Sequence, residues 1–274
     1  TKLNGLMINR MTINGNSLLF SVVPGNFGVF TLRSFSLDKS PEKQNSKGCF
    51  VRALAQVDDS TVIISAQDSG VFLYNYKQHC LSQQTILNAI KEQSFCLKRN
   101  GDDVYIATLK AVYSYNVKNK QLKQLLAFEK DEFTTDISIY NNEVYCHQPD
   151  ATYVIRNGKL IKKNYIDETK THLQLFNIDS FCFTLTSADS LNIYKYQNGK
   201  FNFLQSGIKQ INSSFYNYIL KLKNNNFAFA TSNGLYIVDR HLKTVLKQFN
   251  QTKGLPNNFI YAVLEDKNEN LWIT

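Results

Sequence analysis

Residues 254–274 read GLPNNFIYAVLEDKNENLWIT. Within this stretch, residues 259–264 are apolar and rich in β-branched and aromatic side chains, which is typical of a strand covered on both faces. The polar residues 267–270 follow as a reverse turn, and residues 271–273 start a return strand. The stretch therefore predicts half of a four-stranded antiparallel unit.

Weaker copies of this unit recur along the chain at a period of roughly 40–45 residues, which indicates a β-propeller. The period is read from the first apolar residue of each predicted second strand: Leu18, Val62, Val104, Val144, Phe181, Phe227 and Leu271. Inner strands such as 62–66 and 227–230 are apolar on both faces, whereas predicted fourth strands such as 122–126 and 160–163 are more polar. A sandwich strand would alternate more cleanly, so the pattern favours blades that stack on two neighbours.

The turns support an all-β chain. Turns between first and second strands carry Gly, Asn and Asp, which tolerate the positive φ of tight hairpins; examples are Asn100-Gly101-Asp102, Asp179-Ser180 and Asn224-Asn225-Asn226. Turns recur so often that no helix of useful length fits between them. The third unit shortens its second-to-third-strand turn to about Leu109-Lys110.

We predict a single β-propeller domain over residues 1–274, of the seven-bladed type with four-stranded antiparallel blades and an incomplete seventh blade. The approximate blades are 6–45, 49–90, 94–130, 135–168, 173–207, 216–250 and 254–274, the last one partial. The polar stretch 36–48 predicts a degraded outer strand or a mobile loop. Residues 1–5 offer no spare strands for the last blade, so either the parent chain continues past Thr274, which is the favoured expectation, or the ring closes imperfectly.

Charge and hydropathy exclude several classes of protein. The net charge of +9 comes from 31 basic and 22 acidic side chains, and the lysines are scattered, as on a solvated surface. Nucleic-acid binding calls for a basic stripe with interleaved aromatic residues, which the sequence lacks. An acidic sugar is compatible with the charge but is not indicated by it. No run reaches the length of a membrane span, and the opening on Thr1 without a leader leads us to expect a trimmed fragment or a mature segment.

The metal-ligating residue types form no recognisable site. Five cysteines are present, with no CxxC pair and wide spacings; they are Cys49, Cys80, Cys96, Cys146 and Cys182. Buried thiols without disulfides are the favoured interpretation, and they count slightly against an oxidising compartment. The histidines lie in different units: His79, His147, His172 and His241. None pairs with another at metal-ligand spacing, so we expect no metal.

A catalytic interpretation finds no convergent groups. Acidic pairs occur at 58–59, 102–103 and 265–266, all at strand-to-turn junctions where Asp caps turns. Such neighbours do not form the separated carboxyl pair of a glycosidase. No G-x-S-x-G, P-loop or dinucleotide fingerprint is present. We therefore expect no catalytic residue and no cofactor, and we place Trp272 in the core rather than against a sugar.

The stretch 254–274 resembles the propeller repeat of two-component regulators. The shared features are the GL-x-x-N opening, the apolar strand ending in Glu-Asp, the Asn-bearing turn and the LWI that follows. The resemblance implies the periplasmic sensor region of a hybrid two-component histidine kinase from a polysaccharide-degrading Gram-negative bacterium. It also implies a parent protein of the inner membrane that contains a second propeller, an immunoglobulin-like domain, a membrane span and a kinase.

The resemblance leads to a non-catalytic sensor that detects a carbohydrate or its breakdown product, in a dimeric, membrane-anchored parent. A protein-interaction scaffold is the alternative, and a propeller lyase is the weaker third. Ligand groups in propellers come from loops at the channel mouth, where the weak candidates are Phe27, Lys110, His147, Asp150 and Tyr216. Each is also explained as an ordinary structural residue, and for His147 the structural role is the favoured one.

Overall fold

The computed structural model describes residues 8–14, 17–22, 26–31, 36–38, 51–66, 70–78, 80–82, 85–128, 134, 136–140, 143–148, 152–157, 159–162, 172–186, 191–197, 200–213 and 215–274. The chain forms two compact units, each described by itself. The first comprises Thr1–Gln148 and Tyr153–Lys162, and the second comprises Pro149–Thr152 and Lys163–Thr274.

The first unit contains four sheets, each of four antiparallel strands that pair in chain order. Sheet 1 consists of β1 (Ile8–Asn14), β2 (Ser17–Val22), β3 (Asn26–Thr31) and β4 (Ser36–Asp38). Sheet 2 consists of β5 (Val51–Gln56), β6 (Thr61–Ala66), β7 (Gly70–Asn75) and β8 (Cys80–Leu81). Sheet 3 consists of β9 (Ser94–Asn100), β10 (Asp103–Thr108), β11 (Ala111–Asn116) and β12 (Gln121–Ala127). Sheet 4 consists of β13 (Asp136–Tyr140), β14 (Glu143–His147), β15 (Thr152–Arg156) and β16 (Lys159–Lys162).

The second unit contains two more sheets of the same kind and a two-stranded sheet. Sheet 5 consists of β17 (His172–Ile178), β18 (Phe181–Thr186), β19 (Leu191–Gln197) and β20 (Lys200–Ser206). Sheet 6 consists of β21 (Tyr216–Lys221), β22 (Phe227–Thr231), β23 (Gly234–Val238) and β24 (Val245–Phe249). Sheet 7 consists of β25 (Val263–Glu265) and β26 (Leu271–Ile273).

The near absence of helix agrees with the sequence prediction. Across the described ranges, the helical segments are two short 3-10 helices, Ile86–Ala89 and Gln251–Lys253. No helix in these ranges is long and apolar enough to cross a membrane.

The predicted repeat is confirmed in the strand positions. Each second strand begins at, or one residue before, the apolar residue used to count the period. The tight turns before these strands have the positive φ expected of their sequences: Gly101 has a φ of 58°, Asp179 of 51° and Asn225 of 67°. Four-stranded antiparallel sheets are therefore confirmed, whereas the blade number, the blade boundaries and the single-domain interpretation stay predictions.

In the first unit, successive sheets pack face to face. The first strands β1, β5, β9 and β13 contact one another in sequence. Between sheets 2 and 3, Ile63 and Val71 pack with Val104 and Ile106 in one apolar layer. Because inner strands lose both faces to such layers, all of Val62–Ser65 is buried.

In the second unit the same packing is dominated by aromatic rings. Phe183 of sheet 5 lies 5.6 Å from Phe227 and 5.8 Å from Phe229 of sheet 6, between ring centroids and edge to face. Every residue of β22 is buried. The outer strand β24, in contrast, is half-buried or exposed throughout, as expected of a fourth strand.

Two sequence expectations about strand limits were wrong. The strand predicted at 259–264 begins only at Val263, because Ile260 N instead donates a hydrogen bond to Thr231 O of sheet 6, at 2.9 Å. Phe27 was assigned to a turn, but it lies in β3 and pairs with Ser21. The short β4 ends at Asp38, and the remainder of the predicted stretch, 39–48, lies outside the described residues.

Candidate functional site

Each sheet has one end at which its first strand begins and its second strand turns into its third. We call this the entry end. In the first unit, hydrogen bonds join the entry ends of sheets 2, 3 and 4. Ser65 Oγ near the end of β6 donates to Ser94 O at the start of β9, at 2.9 Å. Cys96 Sγ in β9 donates to Asp136 Oδ1 at the start of β13, at 2.8 Å.

The thiol of Cys96 is a buried hydrogen-bond donor and not a nucleophile. Burial raises the pKa of the Cys96 thiol, and the charge of Asp136 raises it further. The protonated thiol is thereby held on the carboxylate, which also accepts a hydrogen bond from Ile137 N at 2.8 Å. Nucleophilic cysteines have the opposite, lowered pKa.

His147 is the last residue of β14 and is buried. Its Nε2 lies 2.7 Å from Ser138 Oγ on the paired strand β13. A buried imidazole held by a neighbouring hydroxyl is a structural arrangement, in line with the favoured sequence interpretation. In the portion of the chain that the structure describes, no group of three His, Cys, Asp or Glu residues could hold a metal ion.

Lys110 lies in the turn between β10 and β11 and is exposed. The turn is fixed by the buried Thr108 hydroxyl, which accepts hydrogen bonds from Lys110 N at 3.2 Å and Ala111 N at 3.0 Å. The predicted shortening of this turn is therefore confirmed. A lysine on such a rigid turn can present its charge to solvent.

Tyr216 was placed among exposed loop residues, and this placement was wrong. It is the first residue of β21 and is buried in the core, where its ring lies 6.2 Å from that of Phe229. Burial raises the pKa of Tyr216 to about 12, with a further contribution from Tyr236. Asp150 lies outside the described residues, and the role of Phe27 as a ligand contact stays a prediction.

Four aromatic residues that are exposed or half-buried lie at the entry ends of sheets 6 and 7. We call Phe215, Tyr218, Phe259 and Tyr261 the aromatic surface. Phe215 is 53% exposed, Tyr218 38% and Tyr261 41%. The rings of Phe259 and Tyr261 have centroids 4.8 Å apart. Grouped exposed apolar side chains of this kind mark a binding surface more often than scattered apolar residues do.

Sequence reasoning missed this surface because it ranked loop positions individually. A usable signal was present in the sequence. The two aromatic stretches, residues 215–218 and 259–261, lie at or just before the start of a first strand and have no charged residue within two positions.

The turn of sheet 7 is organised by one carboxylate. Asp266 Oδ1 accepts hydrogen bonds from Asn268 N at 2.8 Å and Asn270 N at 2.9 Å. Its Oδ2 accepts from Asn270 Nδ2 at 3.0 Å and Trp272 Nε1 at 3.1 Å. Burial acts to raise the pKa of Asp266, but these hydrogen bonds outweigh it, so that the pKa is lowered.

The other acidic pairs are also used in turns. Asp58 Oδ1 accepts from Ser60 N at 2.8 Å, and Asp103 Oδ1 accepts from Asn116 Nδ2 at 2.9 Å. Asp102 forms an exposed ion pair with Lys118 at 2.7 Å. These carboxylates thus have structural partners, as the sequence predicted for strand-to-turn junctions.

Comparison with known proteins finds a match to one family model and a likeness to solved structures that share one fold. Residues 254–274 match the family described as two component regulator propeller. These are the residues of the Asp266 turn and its two strands. No curated protein matches the chain.

Among solved structures, the chain is similar to the extracellular domain of BT4673 from B. thetaiotaomicron, which is described as a hybrid two component system. The TM-score is 0.72 with 14% identity, over 98% of this chain and 36% of that one. A second structure of that domain, described as a one component system, gives 0.70 with 15% identity over 98% and 37%. This chain therefore spans about a third of the length of those domains.

The chain is also similar to the β-propeller domain of Cps50 (Swd1) from Myceliophteria thermophila. There the TM-score is 0.68 with 11% identity, over 99% of both chains. At such identities the likeness shows the fold and not the function. The chain is thus an all-β propeller that carries, at residues 254–274, a repeat of the two component regulator propeller family.

Proposed function

We propose that this chain is a non-catalytic, extracytoplasmic ligand-sensing propeller of a hybrid two-component system. The single observation that carries the proposal is the repeat at residues 254–274, found on a fold shared with an extracellular domain of such a system. The ligand is a carbohydrate or its breakdown product, and no cofactor takes part. The signal passes to a histidine kinase outside this chain, in a dimeric, membrane-anchored parent that holds a further propeller.

Signalling in this proposal needs two arrangements of the parent protein. Packed sheets such as sheets 5 and 6 form a stiff body, because their shared layer is built from interlocking buried rings. A ligand therefore acts by changing contacts between propellers or protomers, and not by bending a sheet. It can do so only to the extent that it binds one arrangement more tightly than the other.

The absence of catalysis is supported by the partners of the acidic residues. Asp58 and Asp266 each accept hydrogen bonds inside their own turns, and Asp103 accepts one from Asn116 on the paired strand β11. A lyase or glycosidase needs acid and base groups that converge on a substrate. Carboxylates that stabilise turns in different sheets are poorly placed for that task.

Binding to immobilised oligosaccharides tests the proposal directly. The 274-residue chain is screened against an array of neutral, uronate-containing and sulfated oligosaccharides, and hits are measured by calorimetry. We expect saturable binding to one class of glycan with no change in its chain length after overnight incubation. Cleavage of the bound glycan would contradict the non-catalytic assignment, and silence across the array would contradict the carbohydrate ligand.

A protein-interaction scaffold is the second candidate, and a specific surface favours it. On the outer strand β20, Phe203 is 57% exposed and Leu204 44% exposed. Exposed neighbouring apolar residues on an edge strand are a common protein-binding feature. If the scaffold is correct, replacing both by Ser abolishes pull-down of a partner while the chain binds no glycan.

A further inference from the structure

Three uncharged segments of the second unit meet at the entry ends of sheets 6 and 7. The segments are 211–220, 231–238 and 256–264, and none contains Asp, Glu, Lys, Arg or His. Ser232 N donates a hydrogen bond to Phe215 O at 3.0 Å, and Ile260 N donates to Thr231 O at 2.9 Å. The main chain therefore brings the segments together around the aromatic surface.

The rings of this surface are held by rigid backbone. Tyr218 belongs to β21, while Phe259 and Tyr261 flank Ile260, whose N–H is bonded to sheet 6. Two of the rings, Phe259 and Tyr261, also contact each other at 4.8 Å with a tilt of 49°. Rings fixed in this way lose little conformational entropy when a flat ligand covers them.

Amide and hydroxyl groups surround the rings. Asn217 Nδ2 donates to Ile260 O at 2.9 Å and so links the two sheets. Ser213 Oγ lies 2.9 Å from Ser232 Oγ, and Asn233 Nδ2 donates to Asn212 O at 2.9 Å. These contacts fix neutral donors and acceptors beside an apolar platform, which is the usual composition of a site for an uncharged polar ligand.

We propose that the aromatic surface binds a neutral oligosaccharide, through stacking of sugar rings on Tyr218 and Tyr261 and hydrogen bonds to the neighbouring amides and hydroxyls. This inference rests on the proposed function and names the ligand class and its site. A pyranose ring has an apolar C–H face that suits an aromatic ring, and hydroxyls at its edge that suit amides.

The charge of the surroundings selects against acidic sugars. A carboxylate or sulfate group loses its hydration on binding and needs a cation or several N–H donors in return. The three segments supply no cation, although the chain as a whole carries a net charge of +9. A neutral glycan is therefore the ligand that this surface fits.

The test uses the whole chain with a panel of neutral hexasaccharides built from glucose, xylose, mannose or galactose, and a second panel of uronate-containing and sulfated oligosaccharides. Variants Tyr218→Ala and Tyr261→Ala remove single rings, Tyr261→Phe keeps the ring, and Phe203→Ala is the matched control. Phe203 is more exposed than either tyrosine and lies on β20 of the same unit. Affinity is measured by calorimetry at 50 and 500 mM NaCl.

We expect binding of a neutral hexasaccharide that is weakened about tenfold or more by Y218A and by Y261A, retained by Y261F, unchanged by F203A and insensitive to salt. Binding of an acidic oligosaccharide that falls with salt and is unaffected by Y218A and Y261A would overturn this inference and leave the sensor proposal standing. Neutral binding that resists both variants would overturn the site alone. No binding to either panel would overturn the inference together with the carbohydrate ligand of the proposed function.

Discussion

The indole N–H of Trp272 donates a hydrogen bond to Asp266 Oδ2 at 3.1 Å, across the turn that joins the two strands of sheet 7. The same carboxylate is held by two backbone N–H groups and by the Asn270 amide. The three side chains lie in the 21 residues that match the family. The residue pattern of this repeat therefore has a structural explanation: Asp266 supplies a buried carboxylate that closes the hairpin.

Removing that carboxylate is expected to destabilise the chain. In Asp266→Ala, two backbone N–H groups and the Trp272 indole lose their acceptor, and hydrogen bonds to a charged group each contribute roughly 1.5–3 kcal/mol. Because water replaces part of the loss in an exposed turn, we expect a decrease of about 2–3 kcal/mol in the free energy of unfolding. Urea unfolding followed by circular dichroism measures it.

The matched control is Trp272→Phe, which removes one donor and keeps an apolar ring. We expect it to cost about 1 kcal/mol, clearly less than Asp266→Ala. Equal losses in the two variants would mean that ring packing, and not the carboxylate, holds the turn.

The lowered pKa of Asp266 predicts a specific dependence of stability on pH. The ordinary value is 3.8 and the folded value lies below it, so the unfolded state takes up the proton first as the pH falls. The contribution of Asp266 to the free energy of unfolding is fully present above about pH 5 and is lost as the pH falls through the folded pKa. Urea midpoints measured from pH 6 to pH 2.5 should show a shallower acid decline in Asp266→Asn than in the unchanged protein. Parallel declines would contradict the assignment.

Much of the fold was predictable because each repeat contains recognisable turn residues with apolar runs between them. Asn and Gly at positions 100–101 and 224–226 demand hairpins, and the apolar runs between them demand burial on both faces. The start of β25 was missed because residues 259–262 have strand-like side chains. Their backbone is bonded partly to the neighbouring sheet, and such a long-range contact is invisible to local propensity.

The candidate site was less predictable. His147 and Tyr216 were selected for their chemistry and their proximity to loops, but both are buried core residues. The residues of the aromatic surface were passed over because strand-forming aromatic residues are ordinarily core residues. Which of many such rings remains exposed depends on the packing between two sheets, and that packing cannot be read directly from the sequence.

Thiol reactivity provides a test of burial across the sheets. Cys96, Cys146 and Cys182 are buried and Cys80 is half-buried, with none of the four in a disulfide. Burial raises the pKa of Cys146 to about 12; a pKa near 12 leaves roughly one thiolate in ten thousand at pH 8.

Labelling with iodoacetamide at pH 8, mapped by mass spectrometry, should modify Cys80 at least about a hundredfold faster than the three buried thiols. In 6 M urea the four rates should converge, which serves as the control. Rapid labelling of Cys96 in the folded chain would contradict its burial against Asp136.

Gly234 lies close to the backbone of β24 in sheet 6, and this close approach gives the sharpest stability prediction. Its φ is +109°, and a Cβ added there would lie 2.3 Å from Phe249 O at the end of β24. Gly70 occupies the same position in sheet 2, with a φ of +90° and a Cβ contact of 2.3 Å to Ile90 O. Because a backbone carbonyl cannot move aside as a side chain can, we expect Gly234→Ala to lower the free energy of unfolding by about 3 kcal/mol or more.

Gly101→Ala separates the effect of the positive φ from the effect of the close contact, since Gly101 also has a positive φ of +58° but has no atom within 4 Å of its added Cβ. That variant should lose only about 1 kcal/mol, from the backbone conformation alone. Urea unfolding of both variants measures the difference, and equal losses would show that the close approach to Phe249 O does not exist in solution.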